Sequence, residues 1–299
     1  MISAGVSGFK AQEASGYDAV AESFDRLTER FSGALAERLL SLAEPKAGDR
    51  VLDVGTGTGL VALRAARRVS SRGAVLGIDI SQGMLERARQ KAVEEGVAES
   101  VRFEEMDAEA LAVEDASFDV VVSLFALPHL PDPVKAVSEM SRVLRPGGRI
   151  AVGVGSRAPV GFRSAVRKAI ALFEEKRGRR LVAPSFLLEL MERHLPAASS
   201  HESPGHLGPG EVAALLAGAG FVGLRRSWDG QEAVLRSAEE FWEVQYTFSS
   251  AARRRLTQLS PEELAPLRRA FFERCEAALS SGGRLVYPYG AAFFVGSRA

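Results

Sequence analysis

Short apolar segments alternate with amphipathic segments along the first half of the chain. The apolar segments have the length and content of buried strands, and the stretches between them carry apolar residues at helical spacing. The predicted strands are Val51–Val54, Ala74–Ile78, Val101–Glu105, Phe118–Leu124 and Arg149–Val154. The predicted helices are Phe31–Leu42, Leu60–Val69, a helix capped by Ser81, and Val134–Val143. Strands that alternate with helices predict an α/β fold with a mostly parallel sheet.

The second half of the chain interrupts this alternation with two helical segments. The elements predicted there, in order, are helices at Val160–Lys176 and Pro184–His194, a loop at Pro196–Gly210, a helix ending at Gly220, a strand from Phe221, a helical segment from Ala238 to about Leu279, and a last strand at Ala291–Ser297. Aromatic residues recur at helical spacing in the later segment, where they form a core more often than a binding pocket. Arg253–Arg255 are expected to lie on a solvated face.

Composition limits the partners that the protein is expected to have. Basic and acidic residues number 38 each among 299, so no overall charge favours nucleic acid or an anionic membrane. No run reaches the ~18 apolar residues of a membrane span, and the first residues lack the apolar region of a signal peptide. Cys275 is the only cysteine, which excludes an intramolecular disulfide and a multi-cysteine metal site. We therefore expect a cytoplasmic protein without a metal, without nucleic acid as a partner and without membrane insertion; homodimerisation is left open.

Three glycines at alternate positions follow the first predicted strand. Gly55, Gly57 and Gly59 stand between that strand and a helix, which is the arrangement that lets backbone N–H groups approach a ligand closely. Asp79 ends the next strand about 20 residues later, where nucleotide-binding α/β folds place an acid against ribose hydroxyls. The spacing is G-x-G-x-G, because Leu60 stands where a dinucleotide fingerprint requires glycine. A nicotinamide dehydrogenase is therefore disfavoured.

The motifs around this loop resemble those of class I S-adenosylmethionine-dependent methyltransferases, in particular the ubiquinone/menaquinone-biosynthesis type. The resemblance extends from Tyr17 to about Val154. It rests on four ordered motifs: Tyr17–Arg26, Asp53–Gly59 with Asp79, Phe118–Leu124 with the following Phe125–Pro133, and Leu144–Gly148. It implies a Rossmann-like seven-stranded sheet with helices on both faces and an antiparallel last strand inserted between strands five and six.

The resemblance also implies a domain organisation. We expect a mobile lead-in of small and polar residues at 1–15, then a single methyltransferase domain over 16–299. The two helical segments would be cap insertions, at about 156–208 and 237–285. In related enzymes such insertions cover the substrate pocket.

The cofactor implied by the resemblance is S-adenosylmethionine, with S-adenosylhomocysteine as the product. The backbone of the glycine loop would face its amino-acid end, Asp79 its ribose and Asp107 the edge of its adenine. The full set of expected cofactor-binding residues is Tyr17, Asp53, Gly55, Thr56, Gly57, Asp79, Ile80, Met84, Asp107, Ala108, Ser123 and Leu124. Tyr17 and Met84 could instead only pack in the core, and Asp107 could only cap the short turn Ala108–Leu111.

The chemistry requires a cofactor and an acceptor held in line, which is catalysis by proximity and orientation. A general base would help if the acceptor were a hydroxyl, a phenol or an acidic carbon. His129 follows strand four near the expected pocket and is the tentative base, although a surface or structural role is the alternative. His194, His201 and His206 fall in the first insertion, and a metal site formed by His201 and His206 would be a weak inference.

These observations favour methyl transfer to an O, N or C nucleophile of a small, partly apolar metabolite. One alternative keeps the cofactor but catalyses a cyclisation or rearrangement without methyl transfer. Another is a non-catalytic binding protein that retains the fold. A nucleic-acid or protein methyltransferase is disfavoured by the balanced charge, and arsenite methylation by the single cysteine.

Overall fold

Between residues 21 and 155, strands and helices follow the order that the hydrophobic pattern predicts, whereas the short strand at 180–182 is not predicted by it. The computed structural model describes residues 4–156, 180–183, 185–195 and 207–299. The strands are β1 (Arg50–Val54), β2 (Ala74–Asp79), β3 (Val101–Glu105), β4 (Phe118–Leu124), β5 (Leu144–Gly155), β6 (Arg180–Val182), β7 (Phe221–Leu235) and β8 (Arg284–Arg298). The helices are α1 (Ala4–Asp18), α2 (Ala21–Ala43), α3 (Leu60–Val69), α4 (Gln82–Glu94), α5 (Pro133–Val143), α6 (Ser185–His194), α7 (Pro209–Gly218), α8 (Ala238–Phe248), α9 (Ser250–Leu256) and α10 (Pro261–Ser280).

The chain forms two compact units. Unit 1 comprises 1–156, 204–229 and 291–299, and unit 2 comprises 157–203 and 230–290. The predicted helix Val160–Lys176, and the predicted loop up to His206, lie outside the described residues. The organisation as one domain with cap insertions stays a prediction.

The sheet of unit 1 has the order β3-β2-β1-β4-β5-β8, with β7 pairing β8 on its other side. Strands β1 to β5 are mutually parallel, with Val51 opposite both Val75 and Val120. The final part of β8 runs antiparallel to β5, from Ala291 opposite Gly155 to Ser297 opposite Arg149. The Rossmann-like, seven-stranded, mostly parallel sheet with an antiparallel last strand is therefore confirmed.

Alternating side chains of the central strands pack against helices on both faces of the sheet. Leu52 and Val54 of β1 are fully buried in a cluster with Met140 of α5 and Leu216 of α7. Helix α3 packs against β1 and β2, while α2 packs against α3 and β5. Because both faces are covered, the strand ends at the carboxyl edge are where backbone and polar groups can meet a ligand.

The N-terminal segment differs from the predicted mobile lead-in. Residues Ala4–Asp18 form the helix α1, and contacts distant in sequence hold it. Lys10 pairs with Asp107 and Glu109, and Asp18 accepts hydrogen bonds at the start of α4. The helix α2 also begins earlier than predicted, at Ala21. Local sequence patterns do not predict α1, because the partners of Lys10 lie 97 and 99 residues away in the sequence.

Unit 2 is built around aromatic side chains. Phe186, Phe241 and Phe271 are buried, and their ring centroids lie 5.2 to 5.8 Å apart. These rings therefore form a core, as the helical spacing predicts. The expectation of a solvated arginine cluster is wrong for Arg253 and Arg254, which are buried. The guanidinium of Arg253 donates hydrogen bonds to backbone carbonyls at the end of α8, which compensates for its burial.

Candidate active site

The glycine turn after β1 is closely enclosed by its neighbours. Gly55, Gly57 and Gly59 have φ of 71°, 55° and 81°, a region that L side chains rarely adopt. A Cβ at Gly55 would lie 2.3 Å from the Cβ of Ala126. The N–H groups of Gly55 and Thr56 both donate to the carbonyl of Ile78, at 2.9 and 2.8 Å. The turn is therefore fixed against β2 on one side and the segment after β4 on the other.

Asp53 lies directly beneath this turn. Its side chain is 1% exposed, and its Oδ2 accepts a hydrogen bond of 2.7 Å from the hydroxyl of Thr56. The Oδ1 atom is buried without a hydrogen-bond partner among the described residues. Burial raises the pKa of Asp53 to about 7, although the hydroxyl of Thr56 and the backbone N–H of Ala62 oppose this shift. An acceptor atom of this kind is suited to a cationic ligand group.

Asp79 joins the glycine turn to the end of β2. Its Oδ2 accepts from the backbone N–H of Gly57 at 2.9 Å, and its Oδ1 accepts from that of Ser81 at 3.0 Å. Burial raises the pKa of this carboxyl, and the backbone hydrogen bonds oppose the shift. Each carboxylate oxygen can accept more than one hydrogen bond. Asp79 can therefore hold the turn and still accept hydrogen bonds from ligand hydroxyls.

The residues expected around adenine follow β2 and β3. Met84 is buried one turn into α4, where its N–H donates to the capping hydroxyl of Ser81 at 3.2 Å. Ala108 is also buried, while Ile80 is half-buried. The N–H of Met106 donates to the carbonyl of Asp79, which ties the end of β3 to that of β2. The structure thus brings these positions to one stretch of the edge.

Asp107 makes two interactions that the sequence does not reveal together. Its Oδ1 accepts from the N–H of Glu109 at 2.9 Å, so it does cap the turn that follows. Its Oδ2 lies 2.7 Å from the ammonium of Lys10, which also contacts Glu109 at 2.6 Å. Burial lowers the pKa of Lys10, but its hydrogen bonds to the two carboxylates outweigh this and raise it overall. A contact of Asp107 with adenine stays a prediction.

The end of β4 brings Ser123 and Leu124 to this edge in different ways. The hydroxyl of Ser123 is fully buried and donates to the carbonyl of Val54 at 2.9 Å, so it links β4 to β1. Leu124 is half-buried. Phe125 follows with φ of 66°, and its N–H donates to the carbonyl of Gly153. This left-handed backbone turns the chain into the short 3₁₀ helix Leu127–His129.

His129 lies beside helix α1. Its Nδ1 is 3.5 Å from the hydroxyl of Tyr17 and 3.8 Å from Oε2 of Glu13. The ring of Tyr17 meets those of His129 and Phe24 edge-on, with centroids 6.0 and 5.9 Å apart. Phe24 in turn is the side chain nearest to Gly57. Tyr17 therefore lies between the glycine turn and His129.

Sequence reasoning missed Lys10 and Glu13. With Tyr17 they fall at positions i, i+3 and i+7, which is one face of a helix, and that spacing was the available signal. Of the other histidines, His194 ends α6 in unit 2, and His201 and His206 lie outside the described residues. Within the described ranges, no cluster of three His, Cys, Asp or Glu side chains could hold a metal.

A parallel sheet with a glycine turn after β1 and an acid at the end of β2 defines a Rossmann-like protein with a nucleoside-binding edge. A family model for the methyltransferase domain matches residues 52–152. The nocamycin O-methyltransferase of Saccharothrix syringae is 31% identical over 281 residues, which cover 94% of this chain and 96% of that protein. The chain therefore belongs to the S-adenosylmethionine-dependent methyltransferases, which confirms the resemblance seen in its motifs.

Other similarities are more local or more distant. Aklanonic acid methyltransferase DauC of Streptomyces sp. (strain C5) is 39% identical over 145 residues, which cover 48% of this chain and 66% of that protein. Several curated relatives, DauC among them, are matched over only 56% to 66% of their own length. The solved structure of the [4+2]-cyclase SpnF has a TM-score of 0.52 at 21% identity and covers 89% of this chain and 81% of that one. This last likeness shows the fold alone.

The residues at the carboxyl edge fit S-adenosylmethionine, which is the cofactor of the family. The cofactor carries a sulfonium and an ammonium group, and the edge presents the carboxylates of Asp53, Asp79 and Asp107. The glycine turn leaves no room for a side chain at Gly55, as expected where backbone must approach a ligand. Among the helices that the structure describes, none is long and apolar enough to cross a membrane.

Proposed function

We propose that the protein transfers a methyl group from S-adenosylmethionine to an O, N or C nucleophile of a small, partly apolar metabolite. The observation that carries the proposal is the arrangement of the carboxyl edge, where the acids of the cofactor site and His129 follow neighbouring strands. The names of two relatives, nocamycin O-methyltransferase and aklanonic acid methyltransferase, refer to small molecules and so support the substrate class. The cyclisation alternative has only a likeness of fold in its favour.

We assign the cofactor contacts by charge and position. Asp79 accepts hydrogen bonds from the ribose hydroxyls, and Asp107 lies at the adenine edge beside Ala108. The buried Oδ1 of Asp53 accepts from the amino-acid ammonium. Met84, Ile80 and Tyr17 enclose the adenosine, and Ser123 and Leu124 shape the end of β4.

When bound, the cofactor supplies a methyl group whose bond to sulfur breaks with both electrons going to sulfur, which leaves a neutral thioether. The protein's contribution is to hold the acceptor in line with that bond and to exclude water. For an acceptor with an O–H group, His129 accepts the proton. An acceptor with a nitrogen or an acidic carbon would be held at the same place, in line with the methyl–sulfur bond.

Two measurements test this proposal. The first is calorimetric titration of the purified protein with S-adenosylhomocysteine, in parallel with Asp79→Ala and with Glu104→Gln as a matched control. Glu104 is an exposed acid on β3, so its replacement should leave binding unchanged, whereas Asp79→Ala should weaken it at least about tenfold. The second is a screen of phenols, quinones and polyketide-like acceptors with labelled methyl. A folded protein free of co-purified cofactor that binds no S-adenosylhomocysteine would overturn the proposal.

The remaining expectations on partners belong to the same proposal. Equal numbers of acidic and basic residues support an acceptor other than nucleic acid. Cytoplasmic localisation and a homodimer are also proposed, and light scattering after size-exclusion chromatography distinguishes a dimer from a monomer.

A further inference from the structure

Glu13 of α1 is a buried carboxylate beside His129, the base of the proposed function. It is 4% exposed, and its Oε2 lies 3.8 Å from Nδ1 of His129. A buried carboxylate is costly unless donors or cations compensate for its lost hydration. The imidazole of His129 is a donor within reach, although its side chain is itself 36% exposed. One side of His129 therefore faces a buried acceptor while part of the ring remains accessible.

Tyr17 approaches the same ring nitrogen from one turn further along α1. Its hydroxyl is 3.5 Å from Nδ1, and its ring stands at 81° to the imidazole. Glu13 and Tyr17 are four residues apart and therefore share a face of the helix. The Tyr17 hydroxyl can donate to Nδ1 or accept from it, whereas an ionised carboxylate can only accept a hydrogen bond. The carboxylate of Glu13 therefore favours a proton on Nδ1 and a lone pair on Nε2.

We propose that Glu13 is a positioning residue that holds His129 in its Nδ1–H tautomer, with Nε2 as the atom that takes the proton of the acceptor. The proposal rests on the proposed function and deepens it, since it concerns an acceptor with an O–H group. Nε2 accepts that proton as a lone pair of the acceptor oxygen forms the bond to the methyl carbon. The positive charge of the resulting imidazolium is then compensated by the carboxylate of Glu13, and the proton is finally lost to solvent.

Both contacts are longer than a well-formed hydrogen bond. Catalytic hydrogen bonds are often long without substrate and shorten in the complex. The carboxylate is also worth most when the imidazole becomes charged, because the attraction between opposite charges then adds to the hydrogen bond. Glu13 therefore stabilises the state that follows proton transfer more than the resting state.

The test is a measurement of the His129 tautomer by long-range ¹H–¹⁵N correlation spectra of the full chain, with and without S-adenosylhomocysteine. The chain has only four histidines, so the His129 signals are identified by their loss in His129→Gln. Spectra at about pH 8.5 lie above the ordinary titration range of imidazole. We expect the Nδ1–H form in the wild type and a roughly tenfold fall in the Nδ1–H to Nε2–H ratio in Glu13→Gln. Gln12→Ala, an exposed change on the same helix, should leave the ratio unchanged.

Two outcomes would overturn the proposal: an Nε2–H tautomer in the wild type with S-adenosylhomocysteine bound, or an unchanged ratio in folded Glu13→Gln. If that variant does not fold, the proposal is tested by the wild-type spectrum and by Glu13→Asp. The aspartate keeps the negative charge, so this variant should retain the Nδ1–H form. Failure of the proposed function is a separate result. It would appear as absent cofactor binding, whereas a wrong assignment of Glu13 would leave binding intact and the tautomer insensitive.

Discussion

Replacing Asp53 by asparagine should change the pH dependence of folding. Burial raises the pKa of Asp53 from 3.8 to about 7. Because the unfolded chain loses this proton at lower pH than the folded protein, the group's contribution to stability falls as pH rises from about 4 to 7. At 1.36 kcal/mol per pKa unit, ionisation of Asp53 costs the folded state about 4 kcal/mol above pH 7 and ~1.5 kcal/mol at pH 5. Asparagine is uncharged throughout and can still accept from Thr56.

The free energy of unfolding of Asp53→Asn, minus that of the wild type, should therefore rise by about 3 kcal/mol between pH 5 and pH 8. Urea denaturation at several pH values, followed by circular dichroism, measures this difference. Saturating S-adenosylhomocysteine should reduce the rise, because the ligand ammonium compensates for ionised Asp53 in the wild type only.

The matched control is Thr58→Val, which changes another buried side chain of the same turn without removing a titratable group. Its effect on stability should be the same at both pH values. A difference between Asp53→Asn and the wild type that does not vary with pH would refute the raised pKa. A pH-dependent difference that the ligand leaves untouched would refute the contact between Asp53 and the ammonium.

Three further substitutions have defined outcomes. Gly55→Ala should destabilise the protein by about 3 kcal/mol and abolish S-adenosylhomocysteine binding, because the new Cβ collides with Ala126 and the positive φ is strained. Adding Ala126→Gly to this variant removes the collision but not the strain, so it should recover only part of the stability. Full recovery would contradict the strain argument. Lys10→Met should lower the unfolding free energy by about 2 kcal/mol by leaving the buried carboxylate of Glu109 without its cation, with no loss in denaturation experiments counting against this. Asp79→Asn should weaken S-adenosylhomocysteine binding about tenfold in calorimetry, since one acceptor oxygen becomes a donor, and wild-type affinity would exclude the ribose contact.

The elements of unit 1 could be predicted because their signals are local. The apolar strand, the alternating glycines and the acid at Asp79 occupy about thirty residues, and topology then brings the ends of parallel strands to one edge. The resemblance of four ordered motifs added the position of the last strand, which no local pattern determines. Both predictions are confirmed by the strand order and by the antiparallel pairing of β8 with β5.

The contacts of α1 could not be predicted in this way. Glu13 and His129 are more than a hundred residues apart, and Lys10 and Asp107 are separated by 97. Nothing near Glu13 in the sequence indicates that it is buried, and the small residues around it suggested a mobile segment. The burial of Arg253 and Arg254 in α9 could not be predicted for the same reason. A run of cations is usually exposed unless backbone carbonyls lie within hydrogen-bond distance.

The backbone at Phe125 has a consequence for protein engineering. A non-glycine residue at positive φ costs roughly 1–2 kcal/mol, and Phe125 lies two residues before the short helix that carries His129. A library screened for thermal tolerance alone would therefore enrich glycine or asparagine at position 125. Such variants would be more stable, but the loop that bears His129 would be less rigid. Selection for heat resistance and selection for turnover would therefore favour different residues at this position.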